Sequence, residues 1–179
     1  MSKIEYLVYD CEILEDPTVL GWDAYEDLGI TVIGTWQDGN QVAYDMRDPD
    51  YLRDFQEVVN RSENVLGFNS RSFDDPLCKA HGVKIETTLD LLEEIRLLSG
   101  QPRQYTKGRT RRGYDLGSIA AANGLGGKSG SGAEAPTLWK QGRYKRVIDY
   151  CLNDVLLTWR IFELMRDQKL VDPTNGIRL

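Results

Sequence analysis

Residues 4–12, IEYLVYDCE, are the stretch that most constrains this chain: an apolar, β-rich run ending in two acids two positions apart. Alternate side chains of a strand share a face. Asp10 and Glu12 therefore point together, while Cys11 points into the opposite layer. A strand carrying LVY at its centre reads as buried, and burying two ionised, unpaired carboxylates beside it costs several kcal/mol or more. Either the acids stand in solvent at the strand's end, or a cation holds them. The C-terminal end of a strand is where α/β sites usually lie, which favours the cation.

The rest of the first half continues as sheet. LGITVIGTW (28–36) and QVAYDM (41–46) predict a hairpin turning at Asp38-Gly39, after a polar loop over 13–27. DPDYLRDFQEVVNR (48–61) predicts a helix with Asp48 as N-cap and Pro49 in first position. ENVLGFN (63–69) is a short strand. Asp75-Pro76 opens the next helix in the same cap-and-proline way, which leaves Asp74 without a structural role. KIETTLD (84–90) reads as a short strand leading into a helix over 90–99, followed by a basic loop over 100–114.

Asp115 caps the helix LGSIAAAN, and GLGGKSGSGAEAP (124–136) is a Gly/Ser-rich loop. A long helix then runs from Gly142 to about Gln168. Its apolar residues Ile148, Leu152, Val155, Trp159 and Phe162 step by four, three, four and three, which defines a buried stripe. Strands first and helices later predict an α/β fold, a mixed sheet flanked by helices. The 179 residues suit one domain spanning 1–179.

No run of 18 apolar residues exists, so a membrane span is excluded, and the N-terminus lacks the pattern of a signal peptide. A cytoplasmic protein is expected. Cys11, Cys78 and Cys151 include no C-x-x-C pair, and they read as small buried packing residues rather than a disulfide framework. The net charge of −6 argues against a protein that coats nucleic acid. Yet no acid interrupts the segment from Arg96 to Tyr114, which holds Arg96, Arg103, Lys107, Arg109, Arg111 and Arg112. A second basic stretch has Lys140, Arg143, Lys145 and Arg146. An acidic body with a local basic strip suits an enzyme that gathers metal in one place and grips phosphates in another.

Two further motifs add acids. Tyr150 and Asp154 are four apart on the long helix and share a face. Asp74 lies in NSRSFDDP. Clustered carboxylates of this kind suit two divalent ions, Mg²⁺ or Mn²⁺, flanking a scissile phosphate. A near match to a phosphate-binding loop, ANGLGGKS (122–129), follows a helix rather than a strand, so nucleotide hydrolysis is set aside. Lys128 in that loop is instead a candidate phosphate contact. His81 is not within a helical turn of Asp154 and reads as a helix-end or surface residue.

Taken together, D-x-E (Asp10, Glu12), N-x-x-x-F-D-x-P-L (Asn69, Phe73, Asp74, Pro76, Leu77) and Y-x-x-x-D (Tyr150, Asp154) resemble the exonuclease motifs of the DEDD superfamily in its DEDDy branch. The middle motif is most similar to the proofreading domain of family B DNA polymerases. The resemblance implies a ribonuclease H-like fold and 3′-5′ exonucleolysis releasing nucleoside monophosphates. It assigns Asp10, Glu12 and Asp154 to one metal, with Asp10 and Asp74 on the second, and it gives Tyr150 and Glu12 the attacking water. Ile13, Asn69 and Phe73 would contact the terminal nucleotide. Independently of the resemblance, Lys107, Arg109, Arg111 and Arg112 of the basic loop and Lys128 are candidate phosphate contacts, with a solvated loop as the alternative reading of that charge. The expected partner is nucleic acid: single-stranded DNA first, RNA as the alternative, and a non-catalytic binding module using Tyr105 and Tyr114 as a weaker one. With no polymerase palm motif after it, the chain is expected to be a monomeric free-standing enzyme or the nuclease subunit of a replication or repair assembly.

Overall fold

The computed structural model describes residues 3–127, 130 and 132–179. Strand β1 (Ile4–Ile13) is the middle of a five-stranded sheet. It is flanked by β2 (Ile30–Gln37), which leads to β3 (Asn40–Asp45), and by β4 (Ser62–Gly67), which leads to β5 (Leu89–Asp90). The β1–β2 and β2–β3 pairs are antiparallel, whereas β1–β4 and β4–β5 are parallel. Helices α1 (Pro17–Leu20) and α2 (Tyr25–Leu28) lie between β1 and β2, and α3 (Tyr51–Arg61) precedes β4. After β4 come α4 (Asp74–Ala80), α5 (Leu91–Leu98), α6 (Leu116–Ala122), α7 (Ala135–Lys140) and the 23-residue α8 (Tyr144–Arg166). This is the mixed, helix-flanked α/β fold of ribonuclease H-like proteins. No helix among the described residues is long and apolar enough to cross a membrane.

The parity of β1 sorts its side chains as expected. Leu7, Tyr9, Cys11 and Ile13 enter a core with Phe55 of α3 and Leu77 and Cys78 of α4. Val8 joins the opposite core, against Val155, Trp159 and Ile161 of α8. Asp10 and Glu12 share that second face, at the end where the apolar packing stops. Trp36 of β2 stacks on Trp159 at 3.6 Å between ring centroids, which pins the far end of α8 to the sheet.

Near the acids the helix comes closer still, because β2 offers a glycine. Gly34 pairs with Asp10 across the ladder, and its N–H donates to the Cys151 sulfur at 3.2 Å. A β-carbon on Gly34 would sit 2.7 Å from that sulfur and 3.2 Å from the Cys151 backbone. Gly34→Ala is therefore expected to push α8 away and cost about 1–3 kcal/mol, the usual penalty of overpacking. A urea unfolding curve checks this: the midpoint falls with an unchanged slope.

Some element boundaries differ from expectation. Helix α3 starts at Tyr51 because the Asp48 carboxylate accepts the Asp50 N–H in a turn rather than capping the helix. Between residues 13 and 27 the polar loop contains two single helical turns, the first capped by Asp16. Only Leu89–Asp90 of KIETTLD pairs as strand. Part of the Gly/Ser-rich loop region is helix α7, which was not foreseen. The stripe on α8 is wider than drawn: Val155, Trp159 and Phe162 are buried, as are Val147, Cys151, Thr158 and Ile161, while Ile148 and Leu152 are half-buried.

Candidate functional site

The acids gather at the C-terminal ends of β1 and β4, under α8. Donor atoms of Asp10, Glu12 and Cys151 all lie within 4.8 Å of one another. Glu12 and Asp154 are buried, and Asp10 is half-buried. Asp10 and Asp154 both face a cleft of about 530 Å³ that also meets Asn69, Arg111, Arg112 and Tyr114. Asp10 and Asp74 both face a second cleft of about 460 Å³, with Asn69, Phe73 and Trp22. Glu12 and Ile13 line a smaller apolar cavity of about 230 Å³ with Trp22, Phe73 and Gly132. Asp10 thus adjoins each of the other three acids, through a shared cleft or the carboxylate cluster.

Cys151 is more than packing. Its thiol donates to the Asp10 carbonyl at 3.4 Å and lies 3.7 Å from Asp10 Oδ2. Burial pushes the thiol pKa well up, and the charges of Asp10, Glu12 and Asp154 push it further. With no cation beside it the group is a protonated thiol, and its hydrogen bond to the Asp10 carbonyl ties α8 to β1. Cys11 and Cys78, on the other face of β1, are buried with their sulfurs 3.7 Å apart.

Asp74 sits in the first turn of α4 and accepts the Cys11 N–H at 3.1 Å. Burial pushes its carboxyl up to about 7; the charge of Asp75 adds to this, and the Cys11 hydrogen bond opposes it. In the unfolded chain an aspartate ionises near ~3.9. Without a cation the folded chain keeps the Asp74 proton, so ionisation weakens the fold as pH rises from about 4 through 7. A cation at this carboxylate acts in the opposite sense.

The cap-and-proline reading of Asp75 is corrected. Phe73 holds the N-cap position of α4, without a side-chain cap, and Asp75 is inside the helix. The Asp75 carboxylate is buried and accepts from the Tyr9 hydroxyl and from the Thr87 N–H and hydroxyl, the last two at 3.0 and 2.9 Å. It ties α4 to β1 and to the approach to β5, and so aims its neighbour Asp74 the other way.

Tyr150 is buried and lies in a small recess with Gly130, Val147 and Leu138. A β-carbon on Gly130 would come within 3.2 Å of its ring, and one on Gly132 within 3.6 Å of its hydroxyl. Gly132 also borders the Glu12 cavity, whereas Tyr150 lines neither that cavity nor the two clefts that Asp10 faces. Of the basic residues, Arg96, Arg111 and Arg112 line the large cleft. Arg111 is partly engaged, with its N–H on Gln101 Oε1 and its guanidinium on the Ser99 carbonyl and 5.9 Å from the Tyr114 ring. Lys107 and Arg109 are exposed on the loop outside that lining. Lys128 lies outside the described residues. His81 ends α4, with Nε2 3.1 Å from the Tyr25 carbonyl.

Two contributors escaped the sequence reading besides Cys151. Asp90 caps α5 and also accepts the Asn69 and Arg71 N–H groups at 3.0 and 3.1 Å, which holds Asn69 in the left-handed region at φ 65°. Its place at the start of the expected helix 90–99 was the available signal. Trp22 borders two of the three cavities from a loop that carried no motif.

The site defines an acidic, basic-edged cleft on a ribonuclease H-like sheet. Comparison with known families agrees with this class. Residues 103–171 match a family described as a predicted 3′-5′ exonuclease related to the exonuclease domain of PolB. The matched segment is less than half of the chain; it carries the basic loop, Tyr150 and Asp154, and leaves out Asp10, Glu12 and Asp74. No curated protein matches the chain.

Proposed function

We propose that the chain is a metal-dependent 3′-5′ exonuclease that hydrolyses phosphodiester bonds of single-stranded DNA and releases nucleoside monophosphates. The observation that carries this reading is the position of Asp10, which faces one cleft with Asp154 and another with Asp74 while clustering with Glu12. The donor set fits the implied ions: the carboxylates of Asp10, Glu12, Asp74 and Asp154 are hard oxygen ligands of the kind Mg²⁺ and Mn²⁺ take. Asp10, Glu12 and Asp154 would hold one ion and Asp10 and Asp74 the second, together supplying Lewis acidity at the phosphate and at the departing 3′ oxygen.

The chain's own groups do the positioning. Glu12 and Tyr150 orient the attacking water. Asn69, Phe73 and Ile13 border the cavities beside the acids and hold the terminal nucleotide there. Arg112, with Arg111, supplies positive charge along the large cleft for the preceding phosphates, and Lys107 and Arg109 on the same loop add to it, with Lys128, outside the described residues, as a further candidate contact.

A time course on end-labelled DNA and RNA, single- and double-stranded, with Mg²⁺, Mn²⁺ or chelator, tests the reading. Stepwise shortening from the 3′ end is expected, fastest on single-stranded DNA and abolished by chelator. Degradation that survives the chelator, or that starts at the 5′ end, overturns it. RNA consumed faster than DNA moves the substrate to RNA ends.

A further inference from the structure

We infer that Trp22 stacks on the unpaired nucleobase at the 3′ end of the substrate, and that the preference for single strands resides in this side chain. The inference rests on the exonuclease reading and adds to it a residue outside every motif. Of the chain's four tryptophans, Trp36, Trp139 and Trp159 are at most 9% exposed, whereas Trp22 is 63% exposed. An indole left in water on a short loop stabilises the fold little, so its presence there calls for another occupant.

The loop holds that indole in place. Asp16 accepts the Thr18 N–H and hydroxyl at 2.8 and 2.7 Å, closing the turn of α1. The Trp22 ring meets Phe73 edge-on at 5.9 Å between centroids, and Phe73 meets Tyr25 in the same way at 6.0 Å. The Tyr25 hydroxyl in turn donates to the Ser72 carbonyl at 3.2 Å. Trp22 is thus the outermost ring of a shelf anchored beside Asp74. It borders both the cleft that holds Asp10 and Asp74 and the cavity that holds Glu12 and Ile13.

A scissile phosphate at those acids places the base of the terminal nucleotide within reach of the shelf. Every base has a π-face, so stacking tolerates sequence but needs a base freed from its duplex partner. A paired end must fray before its base can reach the indole, and the cost of fraying becomes discrimination against duplex ends.

Trp22→Ala and Trp22→Phe separate this role from others, in the wild-type background for kinetics and in Asp10→Asn for binding without turnover. With a short oligothymidylate, Trp22→Ala is expected to raise Kd and KM about 5- to 150-fold, the span of one base–aromatic stack, with kcat little changed. Trp22→Phe should restore most of that loss. Activity on a blunt duplex should fall less, so the single-strand preference shrinks. Because the other three tryptophans are buried, oligothymidylate should quench the emission of the Asp10→Asn protein, and the quench should vanish with Trp22→Phe. Unchanged affinity in Trp22→Ala, or a quench that persists without Trp22, overturns the inference and leaves the exposed Val19, Leu20 and Trp22 as a patch for a protein partner. If Asp10→Ala retains the wild-type rate of degradation, the exonuclease reading falls, whatever Trp22 does. If Asp10→Ala is inert and Trp22→Ala binds normally, only the role of Trp22 falls.

Discussion

Asp10→Ala is expected to abolish nuclease activity, by ~10³-fold or more, because it removes several kcal/mol of Lewis-acid stabilisation at about 1.4 kcal/mol per decade. No other change touches as much of the site, since Asp10 borders the Asp154 cleft and the Asp74 cleft alike. The fold should survive. Asp10 is half-buried beside other carboxylates, so its loss relieves like-charge repulsion, and the thermal midpoint should hold or rise. Single-turnover assays on a 3′-terminal single strand, run beside a melting curve, give both readouts. Wild-type turnover by the folded variant would make the metal assignment wrong. Asp149→Ala is the matched control: its carboxylate is exposed and engaged by Lys145 at 2.6 Å, one helical turn back on α8, and its removal should be silent.

Tyr150→Phe should lower kcat roughly 10- to 1000-fold, the range for losing a group that orients or relays a proton. The ring keeps its packing beside Gly130, so the variant should stay folded, and a melting curve run beside the kinetics checks this. A fall in kcat with KM held is the signature of a contact made in the transition state. Unchanged turnover would remove Tyr150 from the mechanism.

What was legible from sequence was local geometry. Strand parity put Asp10 and Glu12 on one face and Cys11 on the other, and helical periodicity placed Tyr150 and Asp154 one turn apart on α8, though they line different recesses. Asp115 was legible as a cap because its partner, the Ser118 N–H, is three residues on. Asp75 was misread for the converse reason: Tyr9 lies 66 residues away, and no local rule competes with a buried tyrosine hydroxyl. Helix α7 was missed because six residues after a run of glycines show no period. Trp22 was missed because an aromatic in a polar loop carries no pattern at all; only the cavities beside it give it meaning.

The hydrogen bond between Cys151 and Asp10 spans 141 residues of chain. Closing so long a loop comes late in folding, after the local hairpin and helices have formed. Until α8 docks, a partly folded or partly synthesised chain carries Asp10 and Glu12 but no Asp154 beside them. Such a chain has no complete cleft and, on the proposed reading, should not cut. The proposed catalytic centre would then also be a checkpoint on folding: activity would report that the first strand and the last long helix have met.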